Sequence, residues 1–154
     1  MLQIFKVFVR PHLEYAIPAW CPWQRKDVNL LEKVQRRATR RMSDVSGNYE
    51  DRLKQLNMTT LEERRTRGDA IEVYKYLRKF WDVDTNSLFS PRNGNQPATR
   101  LQKSFMPLKE PKAKLDLWKY FFSVRGAKLW NSLPSTVRKS SPVNAFKNAY
   151  DALA

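Results

Sequence analysis

The stretch from Leu31 to Met42, LEKVQRRATRRM, concentrates residues that could bind a polyanion, with five cations and one carboxylate in twelve residues. On an α-helix, at about 100° per residue, its cations would share an arc of roughly 140°. Guanidinium groups donate paired hydrogen bonds to phosphate, so a row of them can follow a nucleic-acid backbone. A solvated helix face is the alternative, and the residues alone leave both interpretations open. These cations, called the arginine face below, are Lys33, Arg36, Arg37, Arg40 and Arg41.

The helix that would carry the arginine face is predicted from Asp27, as its N-cap, to about Ser43. Apolar residues recur along it at intervals of three and four, which predicts one buried side opposite the cations. The residues predicted to face the core are Val28, Leu31, Val34, Ala38 and Met42.

A second basic cluster, Arg64, Arg65 and Arg67, directly follows Glu62 and Glu63. Carboxylates in the first turn of a helix favour its dipole, and they can pair with cations one turn later. We therefore interpret this cluster as structural.

A third set of cations lies in the C-terminal half and alternates with aromatic residues, a mixture typical of proteins that bind single strands. Aromatic residues at helical spacing are more often core residues, so we expect the lysines of this set, and not the rings, to contact nucleic acid. The cations are Lys103, Lys109, Lys112, Lys114, Lys119, Arg125 and Lys128, and the aromatic residues are Phe105, Trp118, Tyr120, Phe121 and Phe122.

The sequence offers little for catalysis. Phosphoryl or nucleotidyl transfer needs clustered carboxylates that hold metal ions, and the closest pair is Asp82 and Asp84, in a probable loop where acids are usually solvated. Cys21 and His12 are the only cysteine and histidine, which excludes an internal disulfide and a His/Cys zinc site. We expect no catalytic residue, metal site or cofactor, and no small-molecule substrate.

The charge of the whole chain also indicates a polyanionic partner. The 154 residues carry a formal net charge of +14, and both nucleic acid and an anionic membrane would be attracted. The excess is uneven: Met1 to Leu77 has 15 basic residues against 10 acidic ones, whereas Arg78 to Ala154 has 14 against 5. The second half is therefore basic without balancing carboxylates.

Hydrophobic periodicity predicts a mostly helical protein. A capping box, either Thr59 with Glu62 or Thr60 with Glu63, would begin a long helix ending near Trp81. Residues 82–100 contain two Pro, three Asn and one Gly with little periodicity, which predicts a linker. The other predicted helices are Met1 to Ile17, Tyr49 to Leu56, Leu115 to Leu133, and one that begins after Ser141.

Four stretches in order resemble the region after the catalytic core in reverse transcriptases of non-LTR (LINE-type, jockey-like) retrotransposons. They are VRPHLEYAIPAW (Val9 to Trp20), LLEKVQRRATRRM (Leu30 to Met42), YEDRLKQLNMTTLEERRTRGDAIEVYKYL (Tyr49 to Leu77) and FFSVRGAKLWNSLPSTVRKSSPVNAFKNAYDAL (Phe121 to Leu153). The resemblance implies the thumb and post-thumb region, which is helical and helps to grip template and primer. The palm, which carries the family's catalytic aspartates, has no counterpart here, so we expect no enzymatic activity from this chain alone.

The expected architecture is mostly α. It comprises a helical thumb-like bundle over 1–81, a linker over 82–100 and a basic C-terminal helical unit over 101–154, in which a short β-hairpin is left open. The expected function is non-catalytic binding of an RNA or DNA template-primer backbone by the arginine face. One alternative is a structural module that packs on a separate polymerase core and whose basic surface is incidental. The other is an anionic-membrane binder, although no membrane partner is expected.

The start of the chain bears on localisation. Lys6 and Arg10 interrupt the apolar run, and no small-residue cleavage site follows, so we predict no signal peptide. No segment approaches the ~18 apolar residues that a membrane-spanning helix needs. We therefore expect an intracellular protein, nuclear or cytoplasmic. The chain also begins inside an amphipathic pattern, and we expect it to be a piece of a longer protein.

Overall fold

A computed structural model describes residues 1–42, 45–84, 87–92 and 105–153. These residues are mostly helical, so the predicted fold class is confirmed. They contain an isolated antiparallel bridge between Pro91 and Leu108 but no strand, and the β-hairpin left open by the sequence is not needed. The helices are α1 (Leu2–Ile4), a π-helical segment (Phe5–Val9), α2 (Arg10–Leu13), α3 (Arg25–Arg40), α4 (Tyr49–Gln55), α5 (Leu61–Leu77), α6 (Asp116–Lys119), α7 (Phe122–Ser132), α8 (Ser135–Lys139) and α9 (Val143–Asp151).

The chain divides into two compact units, unit 1 from Met1 to Thr66 and unit 2 from Arg67 to Ala154. This division falls within α5, earlier in the chain than the predicted linker over 82–100. Of that linker, 85–86 and 93–100 lie outside the described residues, and as a domain boundary it stays a prediction. Its described part contributes Phe89, which is buried in the core of unit 2.

The first helical stretch of unit 1 is shorter than the predicted helix from Met1 to Ile17. It ends at Leu13, and Ala16 adopts a left-handed conformation with φ +50°. Pro11 lies in the first turn of α2, where its missing N–H is tolerated. The core of unit 1 is built from Phe5, Met42, Leu53 and Met58.

Two capping boxes fix where α4 and α5 begin. The Asp51 amide donates to Asn48 Oδ1 at 2.9 Å, and the Asn48 amide donates to Asp51 Oδ2 at 3.1 Å. Of the two boxes predicted for α5, the one that forms is Thr60 with Glu63, whose amides each donate to the other's side chain. Each box satisfies amides that a helix start leaves without intrahelical partners.

The core of unit 2 is rich in aromatic residues. The Tyr74 and Phe146 rings stack with centroids 4.5 Å apart, and Trp130 stacks on the other side of the pair at 6.0 Å from Phe146. α5 supplies Ala70, Val73 and Tyr74 to this core, and it ends at Leu77, short of the predicted end near Trp81, which is exposed.

The predicted helix from Leu115 to Leu133 is wrong in one respect, because it is two helices. Between α6 and α7, Phe121 is extended, with φ −66° and ψ 148°. The two helices therefore do not share one continuous apolar face, and this break decides which aromatic residues are buried.

Candidate nucleic-acid interface

The five cations of the arginine face are all exposed on α3 or, in the case of Arg41, at its C-cap. Within the described ranges, no carboxylate forms an ion pair with any of them. The Arg36 guanidinium lies 5.0 Å above the Tyr49 ring. The structure therefore leaves the positive charge of this face without a carboxylate partner from the described part of unit 1.

The buried side of α3 differs from the predicted one. Val34, predicted to face the core, is 39% exposed. Polar residues occupy the buried side instead: Glu32, Gln35 and Thr39, continued by Met42. At about 100° per residue, the buried side is turned by roughly 60° from the predicted core face.

The buried carboxylate of Glu32 has two hydrogen-bond partners on other helices. Glu32 Oε2 accepts a hydrogen bond from the Leu61 amide at 3.1 Å, at the start of α5. The hydroxyl of Tyr49 donates to Glu32 Oε1. A carboxylate at a helix N-terminus satisfies a free amide and interacts favourably with the helix dipole.

The two neighbouring polar residues complete this arrangement. Gln35 Nε2 donates to the Thr59 carbonyl and to the Tyr49 hydroxyl, both at 3.0 Å. The Thr39 hydroxyl donates to the Arg36 carbonyl at 3.1 Å. A buried polar group is tolerated when it is hydrogen-bonded, and these contacts join α3 to α4 and to the start of α5.

This arrangement changes the electrostatics of the opening stretch. Glu32 is its only carboxylate; it is buried against α5 and lines one small pocket with Arg36, but in the described residues it forms no ion pair with any of the five cations. Burial, and then the hydrogen bond to Glu32, raises the pKa of Tyr49 well above its ordinary value. Tyr49 adds no negative charge beside Arg36 at physiological pH, where an unperturbed tyrosine is neutral as well.

The second basic cluster has the structural role that its sequence predicts, but with other partners. Arg64 forms an ion pair with Glu14, and its Nη2 donates to Glu14 Oε2 at 3.0 Å. Arg65 is buried, donates to the Leu13 carbonyl at 2.5 Å and lies 4.4 Å above the Trp20 ring. Arg67 pairs with Asp151 at 2.6 Å. Glu62 pairs instead with Arg25 at 2.8 Å, and Glu63 accepts from the Thr60 amide.

The break between α6 and α7 divides the third set of cations and aromatic residues into two groups. Among its described cations, the five lysines are exposed, whereas Arg125 pairs with the buried Asp69 at 2.8 Å. Lys103 lies outside the described residues. The prediction that the rings are core residues is wrong for Trp118, Tyr120 and Phe121, which are exposed, and only Phe122 is buried in the core.

The residues weighed for catalysis do not come together. Asp82, Asp84 and His12 are exposed, and Glu14 is engaged with Arg64 and Arg10. The described ranges contain no group of three or more His, Cys, Asp or Glu residues that could hold a metal ion. None of the described helices has both the length and the apolar character that crossing a membrane requires.

Compared with family models, with curated proteins and with solved structures, the chain gives no significant match. The geometry of its own residues and the resemblance of its four stretches are therefore what a functional proposal can use. Of the clusters described above, the arginine face has the largest number of exposed cations that form no ion pair with a described carboxylate.

Proposed function

We propose that the arginine face binds the phosphate backbone of RNA or DNA. On this proposal the chain is a non-catalytic, template-primer-binding part of an RNA-directed DNA polymerase from a non-LTR retrotransposon. The observation that carries the proposal is the burial of Glu32 against α5, which leaves five exposed cations on one side of α3. The partner would be nucleic acid inside the cell, in the nucleus or the cytoplasm.

The spacing of the arginines suits a regular polyanion. Arg36 and Arg40, like Arg37 and Arg41, are four residues apart, which corresponds to a rise of about 6 Å along the helix. Long side chains at that separation can contact neighbouring phosphates of one strand. Because such contacts carry no sequence information, binding would show little sequence preference and would weaken steeply with salt.

The test is a salt titration with a labelled RNA–DNA primer-template, with single-stranded RNA and duplex DNA in parallel. A variant with Arg36, Arg37, Arg40 and Arg41 changed to Gln should bind all three ligands more weakly. Its plot of log affinity against log salt should be shallower by about three units, since each phosphate contact contributes ~0.7 to 0.9. Unchanged affinity in a variant with wild-type circular dichroism would overturn the proposal.

A charge-matched control separates the face from net charge. The double variant R37Q/R41Q and the double variant K54Q/K79Q each remove two positive charges. Lys54 and Lys79 are exposed, and neither lies on α3. We expect R37Q/R41Q to reduce affinity several-fold more than K54Q/K79Q, and equal losses would show that overall charge alone is responsible.

A second candidate is a module that packs on a separate polymerase core, and one feature of unit 1 favours it. Ile4, Val7 and Phe8 are exposed near the N-terminus, with Phe8 at 67%. Trp20 is exposed as well, whereas Phe5 is buried. Exposed apolar patches of this kind mark contact surfaces. If the V7S/F8S variant removed self-association of the chain in sedimentation velocity, while R37Q/R41Q left nucleic-acid affinity unchanged, this candidate would be preferred.

A further inference from the structure

Unit 2 contains an open groove of about 1150 Å³, whose lining includes four residues of the third set. Its lining includes Lys109, Lys112 and Lys114, and Trp118 of α6. Leu88 and Val124, which are half-buried and buried, also contribute to its lining. The groove thus combines cations, an aromatic ring and an apolar lining; it is called the lysine–tryptophan groove below.

Hydrogen bonds hold the lysine side of the groove in place. The Lys109 amide donates to the Ser90 carbonyl at 2.8 Å. The Asn131 side chain of α7 accepts from the Leu108 amide at 2.8 Å and donates to the Leu108 carbonyl at 2.9 Å. These contacts fix the backbone at the start of the lysine segment, so that the groove is formed without a ligand.

The ring of Trp118 is available to a ligand. It is 55% exposed, although a tryptophan that served only packing would be expected in the core. Phe121 lies edge-to-face with it, with centroids 5.6 Å apart, and is exposed as well. One ring therefore supports the other while both keep surface open to solvent.

The charge of the groove is positive. Its three lysines are exposed, and within the described part of the chain none of them forms an ion pair. Glu110, the only carboxylate in the lining, accepts a hydrogen bond from Asn131 Nδ2 at 2.9 Å. The charge that the groove presents is therefore complementary to a polyanion.

We propose that the lysine–tryptophan groove binds a single strand of RNA or DNA, with a base stacked on Trp118 and neighbouring phosphates at the three lysines. A single strand fits better than a duplex, because bases in a duplex are already stacked on one another and offer no free face to a side chain. This inference adds a second binding site to the proposed function. It rests on the proposed function only for the statement that the chain binds nucleic acid. It assigns the unpaired template to unit 2 and leaves backbone binding to the arginine face.

The experiment compares a thymidine oligonucleotide with an abasic strand of the same length, which keeps the phosphates and lacks the bases. Wild-type protein should bind the thymidine strand more tightly. The variant W118A should lose at least about fivefold in affinity for the thymidine strand, as expected for one stacked base, and should bind the abasic strand as wild type does. W81A is the matched control, because Trp81 is also exposed in unit 2 but does not line the groove, and it should change neither affinity.

The lysines are tested separately. The variant K112Q/K114Q should weaken binding of both strands by a similar factor, because both strands carry the same phosphates. Loss of affinity for the thymidine strand alone would contradict the assigned roles. Since Lys112, Lys114 and Trp118 are all exposed, the variants should keep the circular dichroism spectrum and urea midpoint of wild type.

The failures of the two proposals are distinguishable in the same assay. If W118A has no effect while the four-arginine variant loses affinity, the groove proposal is overturned and the proposed function stands. If Trp118 dependence is found while the four-arginine variant binds normally, the groove stands and the arginine face fails. Binding of phosphatidylcholine–phosphatidylserine vesicles through Trp118, with neither strand bound, would overturn the groove proposal in favour of a membrane surface.

Discussion

The carboxylate of Glu32, in the most basic stretch of the chain, accepts a hydrogen bond from the amide of Leu61 at 3.1 Å. The two residues are 29 positions apart. The contact satisfies an amide at the start of α5, and in the described residues Glu32 forms no ion pair with the cations of its own stretch. Glu32 therefore affects both the stability of unit 1 and the net charge around the arginine face.

Replacing Glu32 with Gln should destabilise the protein by about 1–2 kcal/mol, because a charged acceptor at a helix start becomes neutral. Chemical denaturation in urea measures the change. E50Q is a suitable control, since Glu50 is exposed on α4 and a surface substitution of this kind changes stability by at most about 0.5 kcal/mol. Equal effects of the two variants would show that the Glu32 carboxylate has no special role.

The raised pKa of Tyr49 predicts a loss of stability in alkali. From its ordinary value of 10.0 upward, the unfolded chain ionises this tyrosine while the folded protein keeps it protonated, so the free energy of unfolding falls as pH rises. Its contribution is fully present below that pH. Urea unfolding of wild type and Y49F at pH 9 and 11 should show the difference between them shrinking, and a difference independent of pH would contradict the linkage.

The ion pair between Arg125 and Asp69 should matter more than the pair between Lys119 and Asp116. Asp69 is buried, so D69N removes one charge of an ion pair that is poorly solvated and should cost about 3 kcal/mol. Asp116 pairs with Lys119 at 2.7 Å on the surface, where ion pairs contribute little. D116N should therefore unfold at nearly the wild-type denaturant concentration, and a comparable loss in both variants would refute the contrast.

Gly126 of α7 should not accept a side chain while Val73 is present. A Cβ there would lie 2.8 Å from Val73 Cγ2 and 3.3 Å from Phe89 Cζ. We expect G126A to destabilise the protein by about 1–2 kcal/mol, because overpacking outweighs the gain in helix propensity. V73A removes the methyl group in question, so the double variant should be more stable than the sum of the two single changes predicts. Additive losses in a double-mutant cycle would exclude this contact as the cause.

Hydrophobic periodicity predicted the existence of α3 and the exposure of its cations, but not its rotation. Hydrophobic periodicity considers only apolar side chains, so it predicts that Val34 lies in the core. The buried side instead carries two polar contacts with the start of α5: Glu32 accepts from the Leu61 amide, and Gln35 donates to the Thr59 carbonyl. Contacts between residues this far apart in the sequence cannot be predicted from a local pattern of residue types.

The aromatic run WKYFF, Trp118 to Phe122, shows a second limit. A single helix would have placed Trp118 and Phe122 on one face, at a spacing of four residues. The extended Phe121 separates them, and Arg125 Nη1 donates to the Tyr120 carbonyl at 2.7 Å at this break. No Gly or Pro marks the position, so nothing local in the sequence indicated that Trp118 would face solvent.

The pair between Arg67 and Asp151 has a topological consequence for unit 2. The two side chains are 2.6 Å apart, although 84 residues separate them along the chain. The ion pair thus ties α5 to α9 and closes a loop that runs through almost the whole of unit 2. The folded chain therefore holds together two residues whose separation along the sequence makes them entropically costly to bring into contact.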